Sequence, residues 1–305
     1  YFISKVKLHF NHILSMTKSS LSPIIAGAMN WGVWDKNLKT KEMENLIHIC
    51  FENKITTFDH ADIYGSYTTE AQFGTALSNS KIKREQSQVI SKCGIQMLAE
   101  KRNNTIKHYD YSKDYIIWSV ENSLKNLKTD FLDVLLLHRP SPLMQADEIA
   151  EAVEKLKSEG KIIDFGVSNF TSSQTELIRQ KTPISYNQIQ FSATDYQPML
   201  DGSLDYMQLH QIRPLSWNPL GSVFRQENMQ TDRLRKLLAS LVSKYEIGAD
   251  TSLLAWILKH PAHIIPIAGT VNVARIQALM KATELQLSQE DWFAIWTESM
   301  GNEVP

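Results

Sequence analysis

From about residue 22 onward, short runs of β-branched and aliphatic residues alternate with longer stretches whose apolar positions recur every three to four residues. The short runs predict strands at 23–28, 55–58, 88–91, 132–137, 163–167, 184–189, 213–217 and 264–267. Between them the spacing predicts helices at 41–52, 69–78, 113–127, 146–157, 172–180, 203–210, 251–259 and 274–282. Such alternation implies parallel strands joined by helical crossovers, an α/β architecture. In the helix over 113–127, Tyr115, Trp118, Val120, Leu124 and Leu127 share one stripe expected to pack on the sheet, and Ser112 or Asp114 would cap it.

Two segments exceed the simple repeat. Residues 95–111 form a polar excursion after the third strand, and 231–245 with 285–296 read as additional helices. At the N-terminus, KVKLHF and HILSM are expected to form a β-hairpin closing the bottom of a barrel. No Pro/Gly/Ser-rich linker interrupts the series, so residues 1–305 read as one domain, a length that suits an α/β barrel. The chain opens on Tyr1 rather than Met, and a few leading residues are expected to precede it.

With 32 Lys+Arg against 33 Asp+Glu, the net charge of −1 supplies no global field for nucleic acid or an anionic membrane. Cys50 and Cys93 are far apart and outside any CxxC pair, which excludes a disulfide framework and a cysteine zinc site. The N-terminal stretch is too broken by Lys5, Lys7, His9, Asn11 and His12 to be a signal peptide or a span. These features point to a cytoplasmic protein acting on small molecules, with a monomer favoured.

The chemistry lies at the strand ends. ITTFDHADIYG delivers Asp59 and Tyr64, QVIS runs into Lys92, LDVLLL ends at His138, and IIDFGV ends at Ser168 and Asn169. Singly, Asp59 suits a turn cap, Lys92 a snorkelling side chain, Tyr64 loop packing and His138 a core imidazole. Gathered at the mouth of a closed barrel, they suit carbonyl chemistry. Lys92 would stabilise a phenolate at Tyr64, Asp59 would keep Lys92 charged, and His138 would orient a carbonyl. A metal at Asp59, His60 and Asp62 is a weaker reading, because Asp59 is better used on Lys92 and Asp62 suits a turn. Cys93 reads as a buried thiol, and His108, Tyr109, Asp110 and Tyr111 as either substrate rim or scaffold.

In order and spacing, DHADIYG, SKCG, LLLHRP and GVSNF resemble the signature regions of the aldo-keto reductase superfamily, and HRP, PLM and FGVSNFT resemble its bacterial YdhF-type subgroup. The resemblance runs from about Pro23 to the C-terminus. It implies a (β/α)8 TIM barrel that binds NADP(H) without a Rossmann domain and reduces aldehydes or ketones, with Asp59, Tyr64, Lys92 and His138 as the catalytic tetrad. A slow, NADPH-binding regulatory or channel-associated subunit is the alternative the superfamily offers.

The same resemblance implies that Ser168, Asn169 and Gln188 hold the nicotinamide carboxamide and that Trp217 stacks on the ring. Asn218, Pro219, Leu220, Gly221 and Ser222 match the family's cofactor loop, with backbone amides and a hydroxyl near the pyrophosphate. Gly269, Thr270 and Asn272 would meet phosphate and Arg275 the adenosine 2′-phosphate. Where many relatives carry a Glu-Asn pair for adenine, this chain has Ala278 and Leu279. Met29 and Asn30 follow the first strand on the cofactor side, and Trp31 is expected to supply the substrate wall beside Tyr64 and His138.

Overall fold

The computed structural model describes residues 20–100 and 102–304. The two runs expected to form the N-terminal hairpin lie in 1–19, outside the described residues. Eight parallel strands close on themselves: β1 (Ile25–Gly27), β2 (Thr57–Asp59), β3 (Gln88–Cys93), β6 (Leu132–Leu137), β7 (Ile162–Ser168), β8 (Tyr186–Gln190), β9 (Arg213–Trp217) and β10 (Ile265–Ala268). The closure pairs Ile25 with Ile267 and Ala26 with Phe58. Each expected strand is present, because β-branched runs bounded by polar residues favour buried parallel pairing.

Alternation along each strand sorts side chains between two cores. Ile25, Ile90, Val134, Leu136, Leu215, Ile265 and Ile267 fill the barrel interior, with Leu21 and Tyr186 beside them. Outward-facing neighbours such as Phe58, Val89, Leu135 and Phe165 pack against the helices. On β3 this parity sends Ile90 and Lys92 inward and Ser91 and Cys93 outward, which sets up the site below.

The surrounding helices are α1 (Thr40–Glu52), α2 (Thr69–Asn79), α3 (Lys113–Leu127), α4 (Ala146–Ser158), α5 (Ser172–Arg179), α6 (Ser203–Leu209), α7 (Met229–Tyr245), α8 (Ala249–Leu258), α9 (Val273–Leu279) and α10 (Gln289–Met300). Ser112 caps α3 by accepting from the Tyr115 amide, so of the two expected caps it is Ser112 that serves. The buried face of α3 is Ile116, Ser119, Val120, Ser123, Leu124 and Leu127. Trp118, expected on that face, is 43% exposed and lies under Arg102, 4.4 Å from the guanidinium carbon. The small serines were the signal, since close helix–strand approach leaves no room for an indole there.

Helices α7 and α10 stand outside the eightfold repeat and pack on each other, with Lys244 of one reaching Asp291 of the other at 2.7 Å. The second starts at Gln289 rather than 285, because Ser288 caps it at the Asp291 amide. Trp256 of α8 and Trp292 of α10 stack 5.2 Å apart and exchange indole N–H bonds to each other's carbonyls at 3.1 and 2.9 Å. The polar excursion after β3 folds back as an antiparallel hairpin of β4 (Ile95–Gln96) and β5 (His108–Tyr109), which pairs Ile95 with Tyr109.

Candidate active site

Lys92 is the centre of the site, with no exposed side-chain surface. Its ammonium donates to Asp59 Oδ2 at 2.8 Å, the His60 carbonyl at 2.7 Å and Tyr64 Oη at 3.0 Å. Those three acceptors match its three N–H donors and fix the orientation of the head group. The second Asp59 oxygen, Oδ1, accepts from Gln188 Nε2 at 2.8 Å. One continuous chain therefore runs Gln188–Asp59–Lys92–Tyr64.

Burial disfavours the Lys92 cation, yet Asp59 and Tyr64 outweigh it and the lysine stays above its usual range. For Tyr64, burial is the largest influence and raises the phenol above its usual value despite the nearby Lys92. Tyr64 is thus held protonated, with its own hydrogen free to donate while Lys92 occupies an oxygen lone pair. Lys92 draws the phenol down, as expected, but burial outweighs it.

The turn that presents Tyr64 is unusual. Gly65, Ser66 and Tyr67 all have positive φ, at 57°, 53° and 67°. A Cβ on Gly65 would lie 2.4 Å from Thr69 Oγ1, so only glycine fits. His138 faces the phenol, with ring centroids 6.1 Å apart at 77°. Burial first, then Lys92 and Arg139, push its basicity well below the usual range, so the ring is neutral. Its Nδ1 is buried without a partner among the described residues.

On the other side of the mouth, Asn169 donates to Ser168 Oγ at 2.8 Å and accepts from the Trp217 indole at 2.8 Å. Ser168 Oγ and the Asn169 amide both donate to the Gln188 carbonyl, at 3.2 and 2.8 Å. Asn169 and Asn218 take left-handed turns, at φ 59° and 54°, which end β7 and β9 abruptly. Ser168, Asn169, Gln188 and Trp217 are therefore one connected group next to Asp59.

The loop after β9 is more constrained than expected. A Cβ on Gly221 would come within 2.0 Å of Thr194 Oγ1, and Pro219 is buried. The Gly221 amide donates to the Asn218 carbonyl and the Ser222 amide to Thr194 Oγ1. The Asn218 and Leu220 amides and the Ser222 hydroxyl are left without a partner among the described residues, so not all the loop donors are free. Arg225 ties the loop from outside, donating to Asn218 Oδ1 at 2.5 Å and the Gly221 carbonyl at 2.7 Å.

After β10, Gly269 and Arg275 are exposed. Asn272 is occupied in capping α9 through the Arg275 amide, and Thr270 Oγ1 accepts from the Asn272 amide. Asn30 reaches this turn, its Nδ2 3.8 Å from where a Gly269 Cβ would sit, and Met29 beside it is 46% exposed.

Trp31 is a correction. Its ring is 1% exposed and packs against Phe58 and Phe73 at 6.1 and 5.9 Å, on the helix side of the barrel. The aromatic ring beside Tyr64 is Trp34, 39% exposed and 5.9 Å away. A tight turn at Gly32, whose Cβ would collide with Thr69 Oγ1 at 2.2 Å, reverses the chain between the two tryptophans.

Asp59, His60 and Asp62 diverge. The His60 ring lies on Phe73 at 4.2 Å and, by burial and then Lys92, is lowered to about 3. Asp62 sits in the turn before Tyr64, as expected, and its side chain points outward as a buried acid that accepts from Ser119 Oγ at 3.2 Å. Cys93 is buried, and burial pushes its thiol well up. Tyr111 is also buried: its hydroxyl donates to the Arg139 carbonyl at 2.5 Å and accepts from the Arg139 amide at 3.1 Å. Its ring fills the space above Gly94, where a Cβ would lie 2.0 Å from Tyr111 Cε1. Tyr111 and Gly94 thus steady the backbone just after His138, and the bare glycine in SKCG was the available sign.

A model of the aldo/keto reductase family matches residues 23–297. The chain is 42% identical to the uncharacterized oxidoreductase YcsN of Bacillus subtilis over 292 residues, covering 93% of this chain and 96% of that one. It is 39% identical to the oxidoreductase YdhF of Escherichia coli over 280 residues, covering 90% and 93%. An aldo-keto reductase from Klebsiella pneumoniae, solved in complex with NADPH, shares the fold with a TM-score of 0.74 at 22% identity, covering 91% of this chain and 90% of that one. By sequence over most of its length and by its closed barrel, the chain belongs to the aldo/keto reductase family.

Proposed function

We propose that the protein reduces aldehyde or ketone carbonyls to alcohols with NADPH, Tyr64 giving the proton. The observation that carries this reading is the Lys92 ammonium with all three hydrogens committed, one of them to Tyr64 Oη. A bound reduced nicotinamide would supply the hydride. Ser168, Asn169 and Gln188 suit its carboxamide, because hydroxyl and amide groups offer both donors and acceptors in one plane. The Trp217 ring, only half-buried and held by Asn169, offers a face for stacking.

As negative charge grows on the carbonyl oxygen, Tyr64 passes its proton to it, and the oxygen left behind stays bonded to Lys92. Asp59 and Gln188 hold Lys92 in place from behind. Neutral His138 orients the same carbonyl oxygen across the mouth from the phenol. For the phosphates the Leu220 amide, Ser222 hydroxyl, Asn30 and Gly269 are the candidates, with Thr270 and Asn272 shaping the turn and Arg275 free for a 2′-phosphate. Trp34 replaces Trp31 as the aromatic substrate wall.

The reading takes residues 1–305 as one catalytic domain working as a monomer in the cytoplasm on small carbonyl compounds, which suits two free, buried thiols and a near-zero net charge. Among the described residues no helix is long and apolar enough to cross a membrane. Titration with NADPH, followed by tryptophan emission, and NADPH oxidation with a panel of aromatic aldehydes, quinones and dicarbonyls test it. Saturable quenching with turnover of at least one substrate is expected; absence of saturable binding would refute it.

A further inference from the structure

Arg139 follows His138 at the end of β6, and its guanidinium lies 5.7 Å from the Trp217 ring centroid. Its positive charge is felt by both Tyr64 and His138, so it stands at the mouth where carbonyl and proton donor meet. The head group has no ion pair or hydrogen bond among the described residues. The acids nearby are all turned elsewhere. Both Asp59 oxygens are taken by Lys92 and Gln188, Asp62 faces Ser119, and Asp110 accepts from the Ser112 amide and hydroxyl.

Lys107, from the β4–β5 hairpin, adds a second positive influence on His138 and is also unpaired among the described residues. A chain with net charge −1 therefore concentrates uncompensated positive charge at one opening. The Arg139 backbone is pinned on both sides by the Tyr111 hydroxyl, so the guanidinium leaves from a fixed base. A reduced nicotinamide ring is uncharged and would not neutralise it. The phosphate candidates lie on other turns, after β9 and β10.

We propose that Arg139 selects carbonyl substrates bearing a carboxylate, gripping the anion while the carbonyl reaches Tyr64 and His138. A planar guanidinium matches a carboxylate in two parallel hydrogen bonds, which a neutral ester cannot reproduce. This rests on the carbonyl-reductase reading above, and Arg139 acts in it as a specificity-determining residue.

The test compares 4-carboxybenzaldehyde with its methyl ester, measuring kcat/KM and, separately, equilibrium binding to the NADPH complex by tryptophan emission. The acid is expected to be favoured on the order of tenfold at low salt, with the margin shrinking as salt screens the pair. Arg139→Leu should collapse that ratio in both measurements, while Arg139→Lys keeps part of it. A preference for the ester, or a ratio unchanged in Arg139→Leu, overturns the proposal. Should neither compound be turned over, the binding ratio still decides, and the failure then falls on the reductase reading alone.

Discussion

Asp59 and Asp62 are three residues apart, both buried, and they answer the same problem in opposite ways. Inside the barrel, Asp59 pairs with Lys92 and Gln188, and charge is balanced by charge. Outside, between β3 and helices α2 and α3, Asp62 and Glu70 are buried near each other with serines as their chief partners. There, burial and then Glu70 push Asp62 up to about 8, and burial likewise raises Glu70. The inner region keeps a charged group ready beside a phenol; the outer region raises both its acids by burial and behaves as structure.

The largest effect is expected from removing the inner cation. Lys92→Met leaves Asp59 buried without its counter-ion, which should cost about 3–5 kcal/mol of stability and lower turnover by a factor on the order of a thousand. Denaturant melts and steady-state rates check it; a stable, active variant would dissolve the contrast between the two sides.

The outer region gives a pH signature instead. The unfolded chain releases the Asp62 proton near its ordinary value of 3.8, whereas the folded chain keeps it to about 8. Between those values the folded state binds more protons, so this group's contribution to stability is full below about pH 4 and is lost as pH rises to about 8. Asp62→Asn should therefore melt with the wild type near pH 4 and be stabler by about 2–5 kcal/mol at pH 8. Equal melting differences at both values would show that Asp62 is ionised in the fold.

A smaller effect is expected at Ser91, whose hydroxyl donates to Glu70 at 2.6 Å on the outward face of β3. Ser91→Ala should cost about 1 kcal/mol. Because Ser91 and Lys92 point to opposite faces, the loss should appear in the melt and leave the pH profile of turnover in place. A shifted profile would mean that the two faces are coupled.

The strand ends were the legible part of this chain. An apolar run that stops at one reactive side chain identifies both a strand and its open end, and Asp59, Lys92 and His138 each followed that pattern. What periodicity could not give was direction inside the loops. Trp31 and Trp34 differ by three positions in a turn, and only the collision space around Gly32 decides which one faces Tyr64. Asp62 does stand in the turn its sequence suggested, but its side-chain partners, Ser119 and Tyr115, lie more than fifty positions away and left no local sign. Tyr111 read as rim or scaffold for the same reason, since its bonds are to the Arg139 backbone, twenty-eight positions away. The loop after β9 shared this fault: its sequence shows glycine and serine but not that Thr194 already holds the Ser222 amide.

The central claim is that Tyr64 delivers the proton from a site tuned by Lys92. Single-turnover oxidation of NADPH by Tyr64→Phe, set beside NADPH binding measured on the same sample, tests it most directly. Turnover should fall by at least about a hundredfold, the usual worth of a positioned general acid, with NADPH affinity retained. Wild-type turnover in Tyr64→Phe would contradict it.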